Sequence, residues 1–300
     1  MKKINYGKLL TEQSNPRSRK IDTLSIEKTL NLINLEDQTV PRTVAKSKKQ
    51  IAQGVKLIVK ALRNGGRVFF AGAGTSGRLG VLEAAECPPT FNTPPGLIQA
   101  FMAGGKKAVF RSQEGAEDRL DLALSIFTKK LRAHDIVIGV AASGVTPFVQ
   151  GALMAAKNKK LNTILVTCSQ SLDLKKWADC LIAVKTGPEV ISGSTRLKAG
   201  TATKLVLNML TVTSMVQMGK VFENWMVDLQ PKSKKLHARA LRLIQLLGKV
   251  SEKEAVRYLQ TSGKQIKAAI LMARTGLGKE EALSALKKNN GFLARTIGAK

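Results

Sequence analysis

The chain has 300 residues, 44% of them hydrophobic, which suits one sizeable α/β domain with extra elements or two smaller domains. Lys and Arg number 49 against 21 Asp and Glu, a net charge of +28, but only 4% of residues are aromatic, so a base-stacking surface dedicated to nucleic acid is not expected. No apolar run approaches the roughly 20 residues that span a bilayer, and the first residues lack the apolar segment of a secretory signal, so we expect a cytoplasmic protein without membrane contacts.

Two helices are predicted ahead of the first strand. Apolar residues from Ile26 to Ile33 follow a helical spacing, and this pattern ends in polar residues and Pro41. The next helix is predicted to end at Leu62, because Asn64-Gly65-Gly66 stops it.

The pattern then changes to short apolar runs separated by helical segments. Strands are predicted at Arg67–Ala71, Leu97–Met102, Asp135–Ala142, Thr163–Cys168 and Leu181–Val184. Helical patterns occur near Arg78–Ala85, Ala116–Leu131, Pro147–Lys157 and Lys198–Met218. Strands that are apolar on both faces and alternate with helices are typical of a parallel sheet, so the predicted fold is a doubly wound α/β domain.

Beyond about residue 232 the strand pattern stops. Short helices are predicted at Leu236–Leu247, Glu252–Leu259, Gln265–Ala273 and Lys279–Leu286, with Ser251-Glu-Lys-Glu254 as a capping box. We therefore divide the chain into an N-terminal helical arm (residues 1–45), the α/β domain (46–231) and a small C-terminal helical subdomain (232–300).

The three cysteines form no C-x-x-C pattern, and their odd number argues against a disulfide framework. With only two histidines besides, a zinc site has too few soft ligands. We expect Cys87, Cys168 and Cys180 to be packed small residues, and we expect no metal.

Glycines and hydroxyls follow the first predicted strand, in Ala71-Gly-Ala-Gly-Thr-Ser-Gly-Arg-Leu-Gly80, here called the glycine segment. In open α/β sheets ligands bind at the carboxyl ends of strands, where a helix N-terminus offers N–H groups. The segment is not a complete dinucleotide fingerprint, because no acid ends the next strand, and it lacks the G-K-[ST] of a Walker A loop. It is predicted to hold a phosphate, with a structural turn as the alternative.

Two further segments present Ser and Thr. The strand Asp135–Ala142 runs into Ser143-Gly-Val-Thr-Pro147, where Pro147 suits the first turn of a helix. Two such turns in one sheet can converge on one phosphate, although a pair of ordinary helix caps is the alternative. The segment Glu189–Gly200 adds Ser194 and two cations ahead of a long helix, and its alternative is a helix cap with solvated cations.

Acidic residues lie between the first two of these segments. Glu83 and Glu86 follow the glycine segment, and Glu86 precedes Pro88-Pro89, where we expect the chain to turn. A second group, from Glu114 through Glu117 to Asp118, lies at the predicted start of a helix, where acids usually complement the helix dipole. Spacing alone leaves both groups open to interpretation as solvated side chains.

Together, these segments resemble the N-acetylmuramic acid 6-phosphate etherases, of which the glucokinase regulatory protein is a distant relative. The motifs are G-A-G-T-S-G-R-L-G, A-E-C-P-P-T-F, E-G-A-E-D, A-A-S-G-V-T-P-F-V and G-S-T-R-L-K-A-G-T-A-T-K-L-V-L-N-M-L, in a resemblance that covers nearly the whole chain. It implies a sugar-isomerase (SIS) type of sheet, a UBA/CUE-like C-terminal subdomain, a homodimer with its site near the subunit interface, and no metal or organic cofactor. The last of these motifs departs mildly from the family pattern, with Thr195 for Ser and Leu197 for Met.

The resemblance also implies an activity, the removal of D-lactate from N-acetylmuramic acid 6-phosphate to leave N-acetylglucosamine 6-phosphate in cell-wall recycling. It implies a catalytic pair, with Glu86 as the proton donor to lactate and Glu117 as the other acid/base. The residues implied to bind the sugar 6-phosphate are Thr75, Ser76, Gly77, Ser143, Gly144 and Thr146, with Ser194 and Lys204 as weaker candidates for sugar contacts.

Two other functions fit the same kind of domain. An aldose–ketose isomerase also places an acid/base residue beside a phosphate-binding Ser/Thr cluster, but the E-C-P-P and G-A-E-D motifs favour ether cleavage. A non-enzymatic sugar-phosphate sensor is the third possibility, although the regulatory relative is a much longer chain with two such domains.

Overall fold

The structure is a computed structural model that describes residues 7, 9–169, 174–231 and 233–298. The chain divides into two units, the first made of Met1–Ala84 and Gly96–Thr211 and the second of Ala85–Pro95 and Val212–Lys300. Residue 232, the predicted start of the C-terminal subdomain, lies outside the described residues. None of the described helices is long and apolar enough to cross a membrane.

The first unit contains a parallel sheet whose strands are β1 (Val68–Gly72), β2 (Ile98–Met102), β3 (Ile136–Val140), β4 (Asn162–Thr167) and β5 (Cys180–Ala183). The spatial order is β2-β1-β3-β4-β5, and Phe70 of β1 lies between Ala100 and Ile138 of its neighbours. The order therefore reverses between β1 and β3, which is the place where open α/β sheets bind ligands. All five predicted strands are confirmed; their order had not been predicted.

Helices cover both faces of this sheet. In chain order, the α-helices up to residue 217 are α1 (Ile26–Asp37), α2 (Thr39–Ala45), α3 (Lys48–Arg63), α4 (Gly74–Phe91), α5 (Gly105–Phe110), α6 (Leu120–Lys130), α7 (Pro147–Asn158) and α8 (Lys198–Gln217). On one face, Phe69 and Leu165 pack with Phe127 of α6 in a buried core. On the other, Gly54 of α3 lies so close to α8 that a Cβ there would be 2.9 Å from the Leu210 side chain. The doubly wound architecture is confirmed.

The first helical segment ends in polar residues as expected, because α1 stops at Asp37, but the expected break at Pro41 is wrong, because Pro41 lies inside α2. It is the third residue of that helix, where a backbone N–H has no intrahelical acceptor in any case. The missing N–H of proline therefore removes no hydrogen bond at this position.

The expected turn at Pro88-Pro89 is also wrong, because α4 continues through both prolines to Phe91. Each proline removes one helical hydrogen bond, which normally bends or ends a helix. Here the side chains of Cys87 and Phe91 are 3% and 6% exposed, and the Asn92 N–H donates to the Pro88 carbonyl at 2.9 Å. Burial of apolar side chains around the prolines offsets the lost bonds.

The second unit is helical beyond α8. Its helices are α9 (Lys234–Gly248), α10 (Glu252–Thr261), α11 (Ile266–Thr275), α12 (Lys279–Lys288) and α13 (Leu293–Gly298). Their apolar faces share one core that includes Leu243, Leu259 and Ile270. The predicted capping box is confirmed, since the Ser251 hydroxyl accepts from the Glu254 N–H and the Glu254 carboxylate accepts from the Ser251 N–H at 2.9 Å. The short helices α5 and α13 had not been predicted.

Candidate functional site

The glycine segment forms the start of α4. The helix begins at Gly74, two residues after β1 ends, so Thr75 and Ser76 lie in its first turn. N–H groups in a first turn have no intrahelical acceptor, and this turn contains no acid. The helix dipole adds positive potential there. This turn can therefore bind an anion through backbone N–H groups and two hydroxyls.

Gly77 has a different place in this turn. Its N–H donates to the Ala73 carbonyl at 3.1 Å. A Cβ on Gly77 would lie 2.7 Å from Met102 Cγ and 2.9 Å from the Gly72 carbonyl oxygen. Because Gly77 has no side chain, the start of α4 can pack close to the ends of β1 and β2.

The second predicted loop leaves the sheet beside the glycine segment, because Gly72 at the end of β1 pairs with Val140 at the end of β3. The Ser143 hydroxyl accepts from the Val145 N–H at 3.4 Å, and Gly144 has a φ of +74°. Thr146 is the N-cap of α7, but its side chain makes no capping hydrogen bond. Its hydroxyl is therefore not committed to the helix that it precedes.

The third predicted segment is organised around Glu189 rather than around Ser194. The Glu189 carboxylate accepts from the N–H groups of Lys198 and Ala199 at 2.9 and 2.8 Å, which caps the start of α8. Burial raises the pKa of Glu189 although these two bonds and the nearby Lys198 oppose the shift. Ser194 lies half-buried in the loop before the helix. The first amides of α8 already have an internal anion as their partner.

Lys198 is not the solvated cation that the helix-cap alternative supposed. Its side chain is 4% exposed, and Nζ forms an ion pair with Glu36 of α1, whose side chain is 6% exposed. Glu36 also accepts from Asn15 Nδ2 at 3.0 Å and from Arg17 at 3.2 Å. This network, here called the Glu36 cluster, joins the N-terminal residues to the start of α8.

Lys204 of α8, a candidate sugar contact, forms an ion pair with Glu83 of α4. Its Nζ lies 3.1 Å from Glu83 Oε1 and also contacts the Asn208 side chain. The Thr211 hydroxyl donates to Glu83 Oε2 at 2.6 Å. Sequence reasoning gave Glu83 no role, although its spacing from the buried residues Gly80 and Cys87 would have placed it on the inner face of α4.

A cavity of about 110 Å³ joins the glycine segment to the second group of acids. It is lined by Gly74 and Arg78 of α4, by residues after β2, and by the stretch Ser112–Glu117. We call this the Glu117 cavity. Glu117 lies in a 3-10 turn, Ala116–Asp118, ahead of α6, so the helical pattern predicted near Ala116–Leu131 is present, but its α-helix begins only at Leu120. Gly115, with a φ of +69°, redirects the backbone immediately before this turn.

The Glu117 carboxyl has a raised pKa. Partial burial is the larger cause, and the negative charges of Asp118 and Glu114 add to it. Although much of the side chain remains at the surface, the atoms around the cavity shield the carboxyl group enough to disfavour its charge. A carboxyl with a raised pKa can both take up and release a proton closer to neutral pH.

Glu86 lies on α4 one helical turn after Glu83, and its side chain is exposed. It belongs to the second unit, whereas Glu117 belongs to the first. The approach of the two glutamates to each other therefore stays a prediction.

A second cavity, of about 480 Å³, lies in the helical unit and contains none of the predicted site residues. Lys267 in its wall is 3.2 Å from Asp228 and donates to the Gly219 and Gly291 carbonyls. Burial lowers the pKa of Lys267, against the effect of Asp228, so this cation is a buried structural one. The described part of the chain contains no group of three or more His, Cys, Asp or Glu placed to hold a metal ion.

Comparison with known proteins identifies the family. Residues 50–157 match the model of the glucokinase regulatory protein N-terminal SIS domain. The N-acetylmuramic acid 6-phosphate etherase of Gloeothece citriformis is 46% identical over 294 residues, which cover 98% of this chain and 96% of that protein. The chain belongs to the N-acetylmuramic acid 6-phosphate etherase family. The etherase of an Exiguobacterium species is 44% identical and covers 97% of this chain and 99% of its own.

Membership of the etherase family confirms the resemblance that the motifs carried, and the match to a SIS model confirms the type of sheet. A solved phosphoheptose isomerase from Neisseria gonorrhoeae covers 63% of this chain with a TM-score of 0.49 and 15% identity.

Proposed function

We propose that this protein is an N-acetylmuramic acid 6-phosphate etherase, a carbon–oxygen lyase. The observation that carries the proposal is the Glu117 cavity, in which an acid of raised pKa faces the start of α4 beside the ends of β1 and β2. Near-full-length identity of 46% to an etherase supports the same substrate.

The reaction follows from the position of the ether. The lactyl ether at C3 is β to the C1 aldehyde of the open-chain sugar, so the proton at C2 is acidified. A carboxylate removes that proton, the C3–O bond breaks with its electron pair leaving on lactate, and an acid protonates lactate. Water then adds its hydroxyl to C3 and a proton to C2, which restores the sugar as N-acetylglucosamine 6-phosphate.

The two glutamates fill the two roles. Glu117 is the base at C2 and Glu86 is the acid at the lactyl oxygen. The raised pKa of Glu117 supports its part, because a base that holds its proton more tightly removes a carbon-bound proton more readily. The exposed side chain of Glu86 supports access to substrate.

The 6-phosphate binds where α4 and α7 begin. Thr75 and Ser76 lie in the first turn of α4, and Ser143 and Thr146 lie in the loop between the neighbouring strand β3 and α7. Two helix N-termini and four hydroxyls suit a phosphate dianion. Lys204 and Ser194 take secondary positions toward the sugar. The charged ester does not cross a bilayer unaided, which supports a cytoplasmic location.

The test of the function is direct. The purified protein, given N-acetylmuramic acid 6-phosphate in ²H₂O, is expected to release D-lactate and N-acetylglucosamine 6-phosphate in equal amounts, with deuterium at C2. Water enriched in ¹⁸O is expected to label the C3 hydroxyl. Conversion of an aldose 6-phosphate to its ketose without lactate would establish the isomerase instead. Binding of sugar 6-phosphates without any turnover would point to a sensor.

The proposal includes a homodimer. On one face of α8, the half-buried Leu205 and the exposed Met209, Val212 and Val216 are spaced four, three and four residues apart. This is the spacing of an apolar seam between packed helices. Such a seam suits a second copy of the chain. Sedimentation equilibrium is expected to give twice the chain mass of 32.4 kDa, and a single-chain mass at micromolar concentration would contradict the dimer.

A further inference from the structure

The Arg78 guanidinium donates hydrogen bonds to two backbone carbonyls of α5. Arg78 lies two residues after Ser76, where a cation would be expected to contact the anion. Instead, Nε donates to the Val109 carbonyl at 2.9 Å and NH2 donates to the Ala108 carbonyl at 2.9 Å. Both acceptors are in the last turn of α5, and the side chain also lines the Glu117 cavity.

These two contacts satisfy groups that α5 cannot satisfy itself. The last carbonyls of a helix have no intrahelical donor, and α5 has only six residues. The planar guanidinium presents several donors in a fixed fork, so it can hold two adjacent carbonyls at once. A lysine ammonium keeps the charge but lacks that geometry.

The stretch that follows α5 lies at the surface. Residues 111–115 are all exposed. Gly105, at the start of α5, and Gly115, at the end of the stretch, both have positive φ angles. Beyond it, Ala116 packs against the core beside Glu117. Arg78 therefore fixes one end of this acid-bearing stretch to the helix that forms the predicted phosphate site.

We infer that Arg78 is a positioning residue, which ties α5 to the first turns of α4 and so sets the place of Glu117 relative to bound sugar phosphate. The inference rests on the proposed function for its kinetic part. Direct phosphate binding by Arg78 is the competing role, and it has a different kinetic signature.

The kinetic test compares Arg78→Lys and Arg78→Gln with wild type in the D-lactate assay. Misplacement of the acid/base group is expected to lower kcat by about 100-fold in both variants. KM and the inhibition constant of inorganic phosphate are expected to change by no more than about twofold, since the phosphate site keeps its own ligands. Arg274→Gln serves as the matched control, because Arg274 donates to the Leu247 carbonyl far along the chain in the helical unit. It is expected to keep wild-type kcat.

A rise of about tenfold or more in the phosphate inhibition constant, with kcat preserved, would overturn the inference in favour of direct phosphate binding. Wild-type activity in Arg78→Lys would also overturn the inference, because a positive charge without the guanidinium geometry would then be enough for catalysis.

Hydrogen–deuterium exchange tests the anchor without any activity. In Arg78→Gln, amides of residues 106–118 are expected to exchange about tenfold faster, while those of the sheet keep their protection. Unchanged exchange in this stretch would overturn the inference even if kcat fell. If wild type releases no lactate, the proposed function fails by itself, and the exchange result alone decides whether Arg78 anchors the stretch.

Discussion

Glu86→Gln and Glu117→Gln are each expected to lower kcat for D-lactate release by about 100- to 10,000-fold, because an amide can neither remove the C2 proton nor protonate the leaving lactate. Binding of the sugar phosphate is expected to persist in both variants, since the first turns of α4 and α7 are untouched. Steady-state kinetics, with circular dichroism to establish folding, provide the measurement.

Glu280→Gln makes the matched control, because Glu280 is an exposed acid in the first turn of α12. It removes one carboxylate from the helical unit and is expected to leave kcat unchanged. Lactate release near the wild-type rate in either catalytic variant would show that the pair has been wrongly assigned.

The pH dependence separates the two roles. As a base, Glu117 must be ionised, so kcat/KM is expected to rise as pH increases through its raised pKa. Glu114→Gln removes a neighbouring negative charge that contributes to this shift, so the rising limb is expected to move to lower pH. A limb that stays in place, or moves to higher pH, would contradict the assignment of this limb to Glu117.

Glu36→Leu is expected to destabilise the protein by about 3–5 kcal/mol, because Lys198 would remain buried without its carboxylate partner. The side chains of Glu36 and Lys198 are 6% and 4% exposed, so solvent cannot compensate the charge. Urea denaturation at pH 7 gives the free energy of unfolding. In the double variant Glu36→Leu/Lys198→Met much of this loss is expected to be recovered, since apolar groups can replace a buried pair at little cost.

Acid provides a second test of the Glu36 cluster. Burial opposes ionisation of Glu36, but Lys198, Asn15 and Arg17 outweigh burial and lower its pKa from the usual 4.5. The ionised carboxylate therefore stabilises the fold above its unfolded pKa, and this contribution is lost as pH falls through the folded pKa. The stability difference between wild type and Glu36→Leu is expected to shrink below about pH 4.5. Asp121→Asn, which breaks the exposed pair with Arg119, is expected to change stability much less than Glu36→Leu at every pH.

Local sequence predicted the sheet well because each strand is a short apolar run bounded by polar or glycine residues, as in Ile136–Val140. It failed where packing overrides a local signal. Pro88 and Pro89 indicate a break, but burial of Phe91 keeps α4 intact. The 3-10 turn that carries Glu117 was taken for helix because its acids suit a helix start.

The site was predictable only in part. Hydroxyls and glycines after two strands indicated an anion site, because parallel strands end at one edge of a sheet. The ion pairs of Glu83 with Lys204 and of Glu36 with Lys198 join residues 121 and 162 positions apart, and no local pattern specifies such partners. The choice of Glu86 and Glu117 among the acids came from the family motifs, since their spacing alone was equally consistent with solvated surface side chains.

Because Glu189 caps α8, the N-terminus of that helix does not add to the anion-binding sites at this edge of the sheet. Three long helices start after strands of the sheet, but the macrodipole of α8 is already neutralised by a carboxylate of the chain itself. The first turns of α4 and α7 contain no acid, so among these three helices theirs are the dipoles left uncompensated. The number of helices that begin at the edge of an α/β sheet therefore does not decide how well the fold binds phosphate. What decides it is which of those helix N-termini have no carboxylate of the chain itself beside them.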